Sequence, residues 1–101
     1  MIIDAFEIDL RTSLEEAAKD TGTDLRHSAE DLAQFVIERS SKLAVLVGLT
    51  GYDRAFEAER RAVALFAGIE AIDTADALDQ RVLGILFSSL RFGVLALSGA
   101  A

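Results

Sequence analysis

The sequence of 101 residues contains no cysteine, no proline and no tryptophan, and it has a single histidine, His27. Without cysteine the chain forms no disulfide and offers neither a thiolate nucleophile nor a cysteine ligand for a metal ion. A lone histidine excludes a metal site with several histidine ligands within one chain. Because proline costs about 3 kcal/mol in a helix interior, its absence leaves long helices uninterrupted.

Basic residues are also scarce, since 10 lysines and arginines stand against 17 aspartates and glutamates, which gives a formal net charge of −7. Nucleic acid is therefore not an expected partner, because phosphate binding needs a basic surface. The hydrophobic fraction of 51% is too high for a disordered chain. The first residues lack the basic segment of a secretory signal, so we expect a cytoplasmic protein or a component of a virion assembled in the cytoplasm.

Alanine and apolar residues at helical spacing are what the sequence has in abundance. Alanine, the best helix former, occurs 17 times. Apolar positions recur every three to four residues along four segments of the chain. The sequence therefore predicts one all-α domain over residues 1–101, a small bundle of three or four antiparallel helices at about residues 4–20, 24–47, 52–72 and 75–97.

Two capping signals occur in the first half of the sequence, one at the first predicted helix start and one inside the second predicted helix. Asp4 precedes Glu7 by three residues and Ser28 precedes Asp31 by three, which is the spacing of a capping box. Because Ser28 lies inside the second segment, residues 23–28 stay open as a separate turn. Residues 6–11, however, alternate between apolar and polar side chains as a strand would. The caps favour a helix for the start of the chain, and a strand stays open as the alternative for residues 2–11.

The sequence predicts a turn between the second and third segments, but it does not decide whether the third and fourth segments are separate helices. Gly48 suits a left-handed cap after the second helix, and Thr50 or Asp53 is positioned to cap the third. Between the third and fourth segments two alternatives stay open. The chain either breaks, with Asp73 or Thr74 as the next N-cap, or continues as one long helix, because neither glycine nor proline interrupts it there.

The last predicted helix is apolar around most of its circumference. From Val82 to Ala101 the only charge is Arg91, and Gly84 and Gly93 are interpreted as packing positions. A helix of a small bundle normally keeps one polar face in water, so this excess predicts an association surface. The predicted interface residues are Leu78, Val82, Ile85, Leu86, Leu90, Arg91, Val94 and Leu97.

Candidate chemical sites are weak in comparison. His27 is expected to be an exposed residue at a helix start, because a lone histidine lacks the further ligands that a metal needs. The acidic residues Glu70, Asp73, Asp76 and Asp79 are interpreted as a solvated, acidic helix start rather than a cation site. We therefore expect no catalytic, cofactor-binding or metal-binding residues, and no enzyme.

The function predicted on these grounds is a non-enzymatic structural subunit that associates with itself or with other protein subunits of an assembly, for example as a virion component. The first alternative is an adaptor that binds a partner helix in a groove. The second is a membrane-active helical hairpin, which Arg91 disfavours, since a central arginine costs about 2.5–3.5 kcal/mol on insertion. For Arg91 itself two interpretations stay open, a snorkelling side chain at the bundle edge or an ion pair with an aspartate of a neighbouring subunit.

Overall fold

The computed structural model describes residues 2–21, 27–70, 72–73 and 75–99, and these form an all-α bundle. No strand occurs among these residues, so the prediction of an all-α fold is confirmed and the start of the chain is helical. The four helices are α1 (Ile2–Thr21), α2 (Ala29–Ala44), α3 (Tyr52–Phe66) and α4 (Ala77–Ser98).

Helices α1 and α4 run antiparallel to each other. Near the start of α1 the ring of Phe6 lies 5.0 Å from that of Phe92 in the second half of α4. Near the end of α1 a carboxylate oxygen of Asp20 lies 3.2 Å from Nη2 of Arg81, close to the start of α4. Residue numbers thus rise along one helix as they fall along the other.

Helix α3 runs antiparallel to both α2 and α4. It meets α2 through a stacked pair of rings and an ion pair, Phe66 on Phe35 and Glu59 with Arg39. It meets α4 through two arginine–aromatic contacts, Arg91 over Phe56 and Arg60 over Phe87. Helices α2 and α4 are therefore parallel, as expected for the diagonal pair of an up-down-up-down bundle.

The bundle is flattened because this diagonal pair is in close contact. Helices α2 and α4 share the most extensive contact in the molecule, whereas α1 and α3 do not touch each other within the described residues. The Cα atoms extend 39 × 32 × 17 Å. The outward sides of α2 and α4 consequently lie on the two broad faces of a slab, with α1 and α3 along its edges.

The core consists of aliphatic side chains from all four helices. Its largest members with almost no solvent exposure are Leu14, Leu32, Val36, Leu43, Val63, Val82, Leu83, Leu86, Leu90 and Val94. Half of these come from α4, so much of the apolar surface of α4 is buried within the monomer itself. Truncating one such leucine to alanine costs about 2–5 kcal/mol, a large part of the stability of a domain this small.

One buried polar side chain lies between α2 and α4. The hydroxyl of Ser40 lies 2.8 Å from the carbonyl oxygen of Val36 and 3.2 Å from that of Leu90, and it donates toward both. A Cβ atom built on Gly93 would lie 2.5 Å from Ser40 Oγ. Gly93 is thus a packing position, as predicted. Gly84 is not one, because a Cβ atom built on it would have no atom within 4 Å and the residue is exposed.

Among the four described helices, an N-cap that the sequence offered agrees with the structure only at α2. Ser28 is the N-cap of α2, and its hydroxyl accepts a hydrogen bond from the Asp31 backbone N–H at 3.1 Å. Helix α1 already contains Asp4, so Asp4 is not its N-cap. The N-cap of α3 is Gly51 at φ 93°, without a side-chain cap, and the expectation that Thr50 or Asp53 would cap it was wrong. Both are exposed, and the short loop places a left-handed residue there instead.

The chain breaks between α3 and α4, so the alternative of one long helix was wrong. Gly68 has φ 92°, its N–H donates to the carbonyl of Leu65, and the N–H of Ile69 donates to that of Ala64. These are the two hydrogen bonds of a Schellman motif, which ends a helix. Helix α3 thus ends at Phe66, short of the predicted residue 72.

Helix α4 begins with a side-chain cap of its own. Asp76 is its N-cap, and the Asp76 carboxylate accepts a hydrogen bond from the backbone N–H of Asp79 at 2.8 Å. Asp73 was expected in this role, but it lies in the turn before the cap, and Thr74 lies outside the described residues. Gly48 adopts the expected left-handed conformation, with φ 82°, but it is not the cap of the second helix, because α2 ends at Ala44 with Val45 as its C-cap. The predicted start of the second helix, residues 24–26, also lies outside the described residues.

Candidate interaction surface

The two central helices present opposite chemistries to solvent. Helix α2 exposes a stripe of polar side chains at spacings of four, four and three residues, Glu30, Gln34, Glu38 and Ser41. Helix α4 exposes a stripe at the same spacings, Gly84, Ser88, Phe92 and Leu95. One broad face of the slab is therefore charged, whereas the other is uncharged along its centre and becomes apolar toward its end.

The apolar part of this second face is centred on Phe92. Phe92 is 51% exposed and Leu95 is 47% exposed, although both belong to the central helix α4. The half-buried ring of Phe6 on α1 lies beside Phe92, and the half-buried ring of Phe87 lines the depression on its other side. We call the surface formed by Phe6, Phe87, Ser88, Phe92 and Leu95 the outer α4 surface.

The predicted interface residues divide between the core and the surface. Four of them, Val82, Leu86, Leu90 and Val94, are buried within the monomer. They belong to the core of the bundle, so they are not available to another chain while the fold is intact. Ile85 is half-buried, and Arg91 and Leu97 are exposed. Leu78 lies in the first turn of α4, and its side chain is outside the described part of the structure.

Phe92 and Leu95 are the exposed apolar residues that sequence reasoning missed. Helical periodicity placed apolar residues on almost every side of α4, so it could not distinguish the stripe that faces α2 from the stripe that faces water. Ser88 and Arg91 are the residues in the sequence that could have indicated which side of α4 faces solvent. They mark the solvent side of α4, and Phe92 and Leu95 lie one turn away from them.

Opposite charges lie on the two sides of the outer α4 surface. On the α1 side a shallow depression is lined by Asp9 together with Phe6, Ser88 and Phe92. On the α3 side a second depression is lined by Arg91 together with Phe87, Leu95, Ser88 and Phe92. Ser88 and Phe92 line both depressions, so they form the centre of the surface, with a carboxylate on one flank and a guanidinium on the other.

Arg91 makes an aromatic contact within the monomer. Its guanidinium carbon lies 5.3 Å from the centre of the Phe56 ring on α3, within the range of a cation–π interaction. The side chain is nevertheless exposed. The ring holds the charge over the α3 flank without neutralising it, because Phe56 carries no opposite charge.

Exposed apolar side chains gather at one end of the bundle. We call this the loop end, where residues 45–51 join α2 to α3 and where α1 starts and α4 finishes. Among the described residues eight large apolar side chains are exposed, and all except Leu65 lie in the half of the bundle at the loop end: Ile8, Val45, Val47, Leu49, Phe92, Leu95 and Leu97.

The net negative charge of the bundle lies mainly in the half away from the loop end. The described residues at the loop end, 2–11, 37–58 and 88–99, include six acidic and five basic residues. The described residues of the other half, 12–21, 27–36, 59–70, 72–73 and 75–87, include ten acidic and four basic residues. Nearly the whole net charge of −7 therefore lies away from the exposed apolar residues.

His27 is stacked rather than freely exposed. Its ring lies 3.9 Å from that of Phe66 at an interplanar angle of 10°, and Phe66 stacks on Phe35 at 4.2 Å. The guanidinium of Arg39 lies 4.6 Å from the Phe35 ring, and its Nη1 is 3.3 Å from Glu59 Oε2. The stack closes the interface between α2 and α3, so His27 has a structural contact that its sequence position did not indicate.

The charged cluster on α3 is an intrahelical network. Arg60 donates a hydrogen bond of 2.7 Å to Glu57, and Arg61 donates one of 3.5 Å to the same carboxylate oxygen. The hydrogen bond from Arg60, aided by the charges of both arginines, lowers the pKa of Glu57 below its usual value. Among the described residues no group of three or more histidine or carboxylate side chains is arranged to hold a metal ion.

Helix α4 also meets the length and composition of a membrane span. Within the described residues the segment Asp79–Ser98 is the one helix that is long and apolar enough, and a third of the window is buried in the bundle. A core helix of a bundle fulfils the same criteria, so they are weak grounds for a membrane span.

Searches of family models, curated proteins and solved structures gave no match to this chain.

Proposed function

We propose that this chain is a non-enzymatic assembly subunit, which associates with protein subunits through the outer α4 surface. The observation that carries the proposal is the contrast between the two broad faces. Helix α2 turns a polar stripe with two glutamates to solvent, and α4 turns Phe92 and Leu95 to solvent at equivalent positions. Contiguous exposed apolar side chains on a small domain are typical of protein–protein interfaces.

The composition of the surface supports association rather than chance exposure. Phenylalanine and arginine are enriched in the cores of protein interfaces, and lysine and glutamate are depleted there. The outer α4 surface contains three phenylalanine rings with Arg91 at its edge, and none of its five residues is charged. Burial of apolar area contributes about 25 cal/mol per Å², so a half-exposed phenylalanine contributes on the order of 2 kcal/mol when it is covered.

The shape of the surface favours a subunit over an adaptor for a partner helix. A helix-binding groove receives its ligand between two walls. Here the side chain of Phe92 lies between two shallow depressions, so the centre of the surface is a ridge. A ridge offers no such groove to a single helix. The class of particle, a virion component included, stays a prediction from the sequence.

The proposal is tested by replacing one exposed leucine and using another as the control. Leu95 on α4 is 47% exposed, and Leu65 near the end of α3 is 52% exposed at the other end of the bundle. Leu95→Asp is expected to reduce the mass of the particle in solution, and Leu65→Asp is expected to leave it unchanged. Light scattering after size exclusion measures the mass, and far-UV circular dichroism verifies that both variants keep their helices.

The outcomes separate the proposal from a general effect of added charge. Both variants replace a leucine of similar exposure by the same acidic residue, so only the position differs. A wild-type chain that is monomeric at every concentration up to the millimolar range would overturn the proposed function. Equal masses for the wild type and the Leu95→Asp variant would exclude the outer α4 surface as the site of association.

A further inference from the structure

We infer that the partner of the outer α4 surface is a second copy of this chain, related to the first by a two-fold axis that runs along α4. This inference rests on the proposed function. In such a dimer Asp9 of each copy faces Arg91 of the other, and the Phe92 rings meet near the axis. Three features support this arrangement: the positions of the two charges, the symmetry of the surface and the area available.

The two charges have suitable positions on the surface. Asp9 and Arg91 line depressions on opposite sides of Ser88 and Phe92. Both lie at similar heights along the bundle, because Phe6 contacts Phe92 and α1 runs antiparallel to α4. Neither charge has an ion-pair partner within the described residues. Each is therefore available to a charge on another molecule.

Two further residues, Glu16 and Arg60, extend the same signs along the flanks, whereas Arg81 on the α1 side is already paired with Asp20. Glu16 lies seven residues after Asp9, so it is on the same side of α1, and it is exposed. On the α3 side, the guanidinium of Arg60 lies 5.0 Å from the centre of the Phe87 ring. The unpaired charges of the α1 flank are therefore acidic, whereas the α3 flank carries two guanidinium groups, one of which already binds Glu57.

Symmetry decides how such a surface pairs with itself. In a two-fold dimer the same patch is used twice, and residue i of one copy contacts residue j of the other. A two-fold axis in the plane of the interface and parallel to α4 exchanges left and right, so the acidic flank of each copy meets the basic flank of the other. An axis in that plane perpendicular to α4 would place Asp9 on the same side as Asp9 of the other copy, which like-charge repulsion disfavours.

The face is also large enough for a stable dimer. A standard interface buries about 800 Å² on each partner. The broad face of the slab measures 39 Å by 32 Å between Cα atoms, which exceeds that requirement. Ser88 and Gly84 are small and lie along the axis of the proposed dimer, so two α4 helices can approach closely there.

The decisive experiment mixes two charge-reversal variants. In its own dimer, Asp9→Arg places a new guanidinium opposite Arg91, and Arg91→Asp places a new carboxylate opposite Asp9. Each variant alone therefore has two repulsive pairs, and we expect its dimer to dissociate about tenfold more readily than that of the wild type. When the two variants are mixed, both pairs of the heterodimer are attractive. Native mass spectrometry should then find mainly the heterodimer.

A matched pair of variants on the opposite face controls for net charge. Glu38→Arg and Lys42→Asp change the total charge by the same amounts on the exposed side of α2. Their mixture should give homodimers and heterodimers in statistical proportions, at the affinity of the wild type. Circular dichroism confirms the helix content of each chain, and all four substituted residues are exposed, so folding is expected to be retained.

The results distinguish this inference from the proposed function. If Leu95→Asp abolishes association but the mixture of charge variants shows no preference for the heterodimer, the two-fold arrangement is wrong and assembly through the surface still holds. If the wild type forms no oligomer, both proposals fall together. Preferential heterodimers from the charge variants and statistical ones from the controls would support the proposed pairing of Asp9 with Arg91.

Discussion

Substitution of the two glycines of α4 by alanine tests the packing of the central helix pair. At Gly93 a new Cβ atom would lie 2.5 Å from Ser40 Oγ, 2.8 Å from Ser40 Cβ and 3.3 Å from Phe6 Cε2. At Gly84 no atom lies within 4 Å of the new Cβ. Both glycines are inside the same helix, and neither has a positive φ. The two substitutions therefore differ only in what the added methyl group meets.

The expected effects have opposite signs. Replacing glycine by alanine inside a helix gains about 0.5–1 kcal/mol, because alanine loses less backbone entropy on folding. Gly84→Ala should show this gain in full. Gly93→Ala adds an overpacking cost of about 1–3 kcal/mol, since Ser40 is itself buried and held by its hydrogen bonds. The net expectation for Gly93→Ala is a loss of up to about 2.5 kcal/mol.

Urea denaturation followed by far-UV circular dichroism measures both changes. The variants are best made in the Leu95→Asp background at one low concentration, so that association does not contribute to stability. In a domain of this size 1 kcal/mol corresponds to about 4–8 °C in Tm. Gly84→Ala should therefore raise Tm by several degrees, and Gly93→Ala should lower it.

A second substitution examines the cause of the loss. Ser40→Gly removes both the Oγ and the Cβ atoms that the new methyl group would meet, so Gly93→Ala should become stabilising when combined with it. Ser40→Ala leaves the Cβ contact of 2.8 Å and should relieve the loss only in part. If Gly93→Ala stabilises the protein as much as Gly84→Ala does, the close approach of α2 and α4 at this point is refuted.

Three further predictions concern the helix cap, the core and the response to pH. Asp76→Ala should destabilise the protein by about 0.5–2 kcal/mol in urea denaturation, because the N–H of Asp79 loses its acceptor; Asp73→Ala is the control and should have little effect. Leu90→Ala should cost about 2–5 kcal/mol in the same assay, because Leu90 is fully buried; a change in mass without loss of stability would instead place Leu90 in an interface. The lowered pKa of Glu57 means that its ion pairs add stability at pH values above its pKa in the unfolded chain, and that this contribution is lost as the pH falls through the lowered pKa of the folded state. Carboxyl chemical shifts should show Glu57 titrating below the ordinary value of a glutamate side chain, and Glu57→Gln should reduce the loss of stability in acid; an ordinary midpoint would contradict the contact with Arg60.

The fold class followed from the sequence because its determinants are local. Apolar residues at helical spacing, an abundance of alanine and the Ser28 cap act within a few residues of one another, and each led to a helix that the structure contains. The break after α3 was not decided by local pattern. Gly68 ends the helix through the turn whose N–H groups donate to Leu65 and Ala64, and in the sequence it was only one glycine among several.

The candidate surface was only partly predictable, because it depends on which helix lies behind α4. The sequence identified α4 as more apolar than one core-facing side requires. Only the tertiary arrangement buries Leu86 and Leu90 in the core and leaves Phe92 and Leu95 exposed. The flanking charges Asp9 and Arg91 belong to different helices, and their relation is set by packing between residues far apart in sequence.

The close contact between α2 and α4 also has a consequence for how the chain folds. Ser40 and Leu90, which meet at its centre, are separated by 50 residues. Neither the α1–α2 hairpin nor the α3–α4 hairpin can bury its central helix alone, so the interior assembles only after both halves of the chain have been joined. Folding rates fall as contacts become less local, and this bundle should fold more slowly than helical bundles whose main contacts are between sequence neighbours. For the same reason, two separately made halves, cut in the loop after α2, should stay largely unfolded apart and gain helix content when mixed.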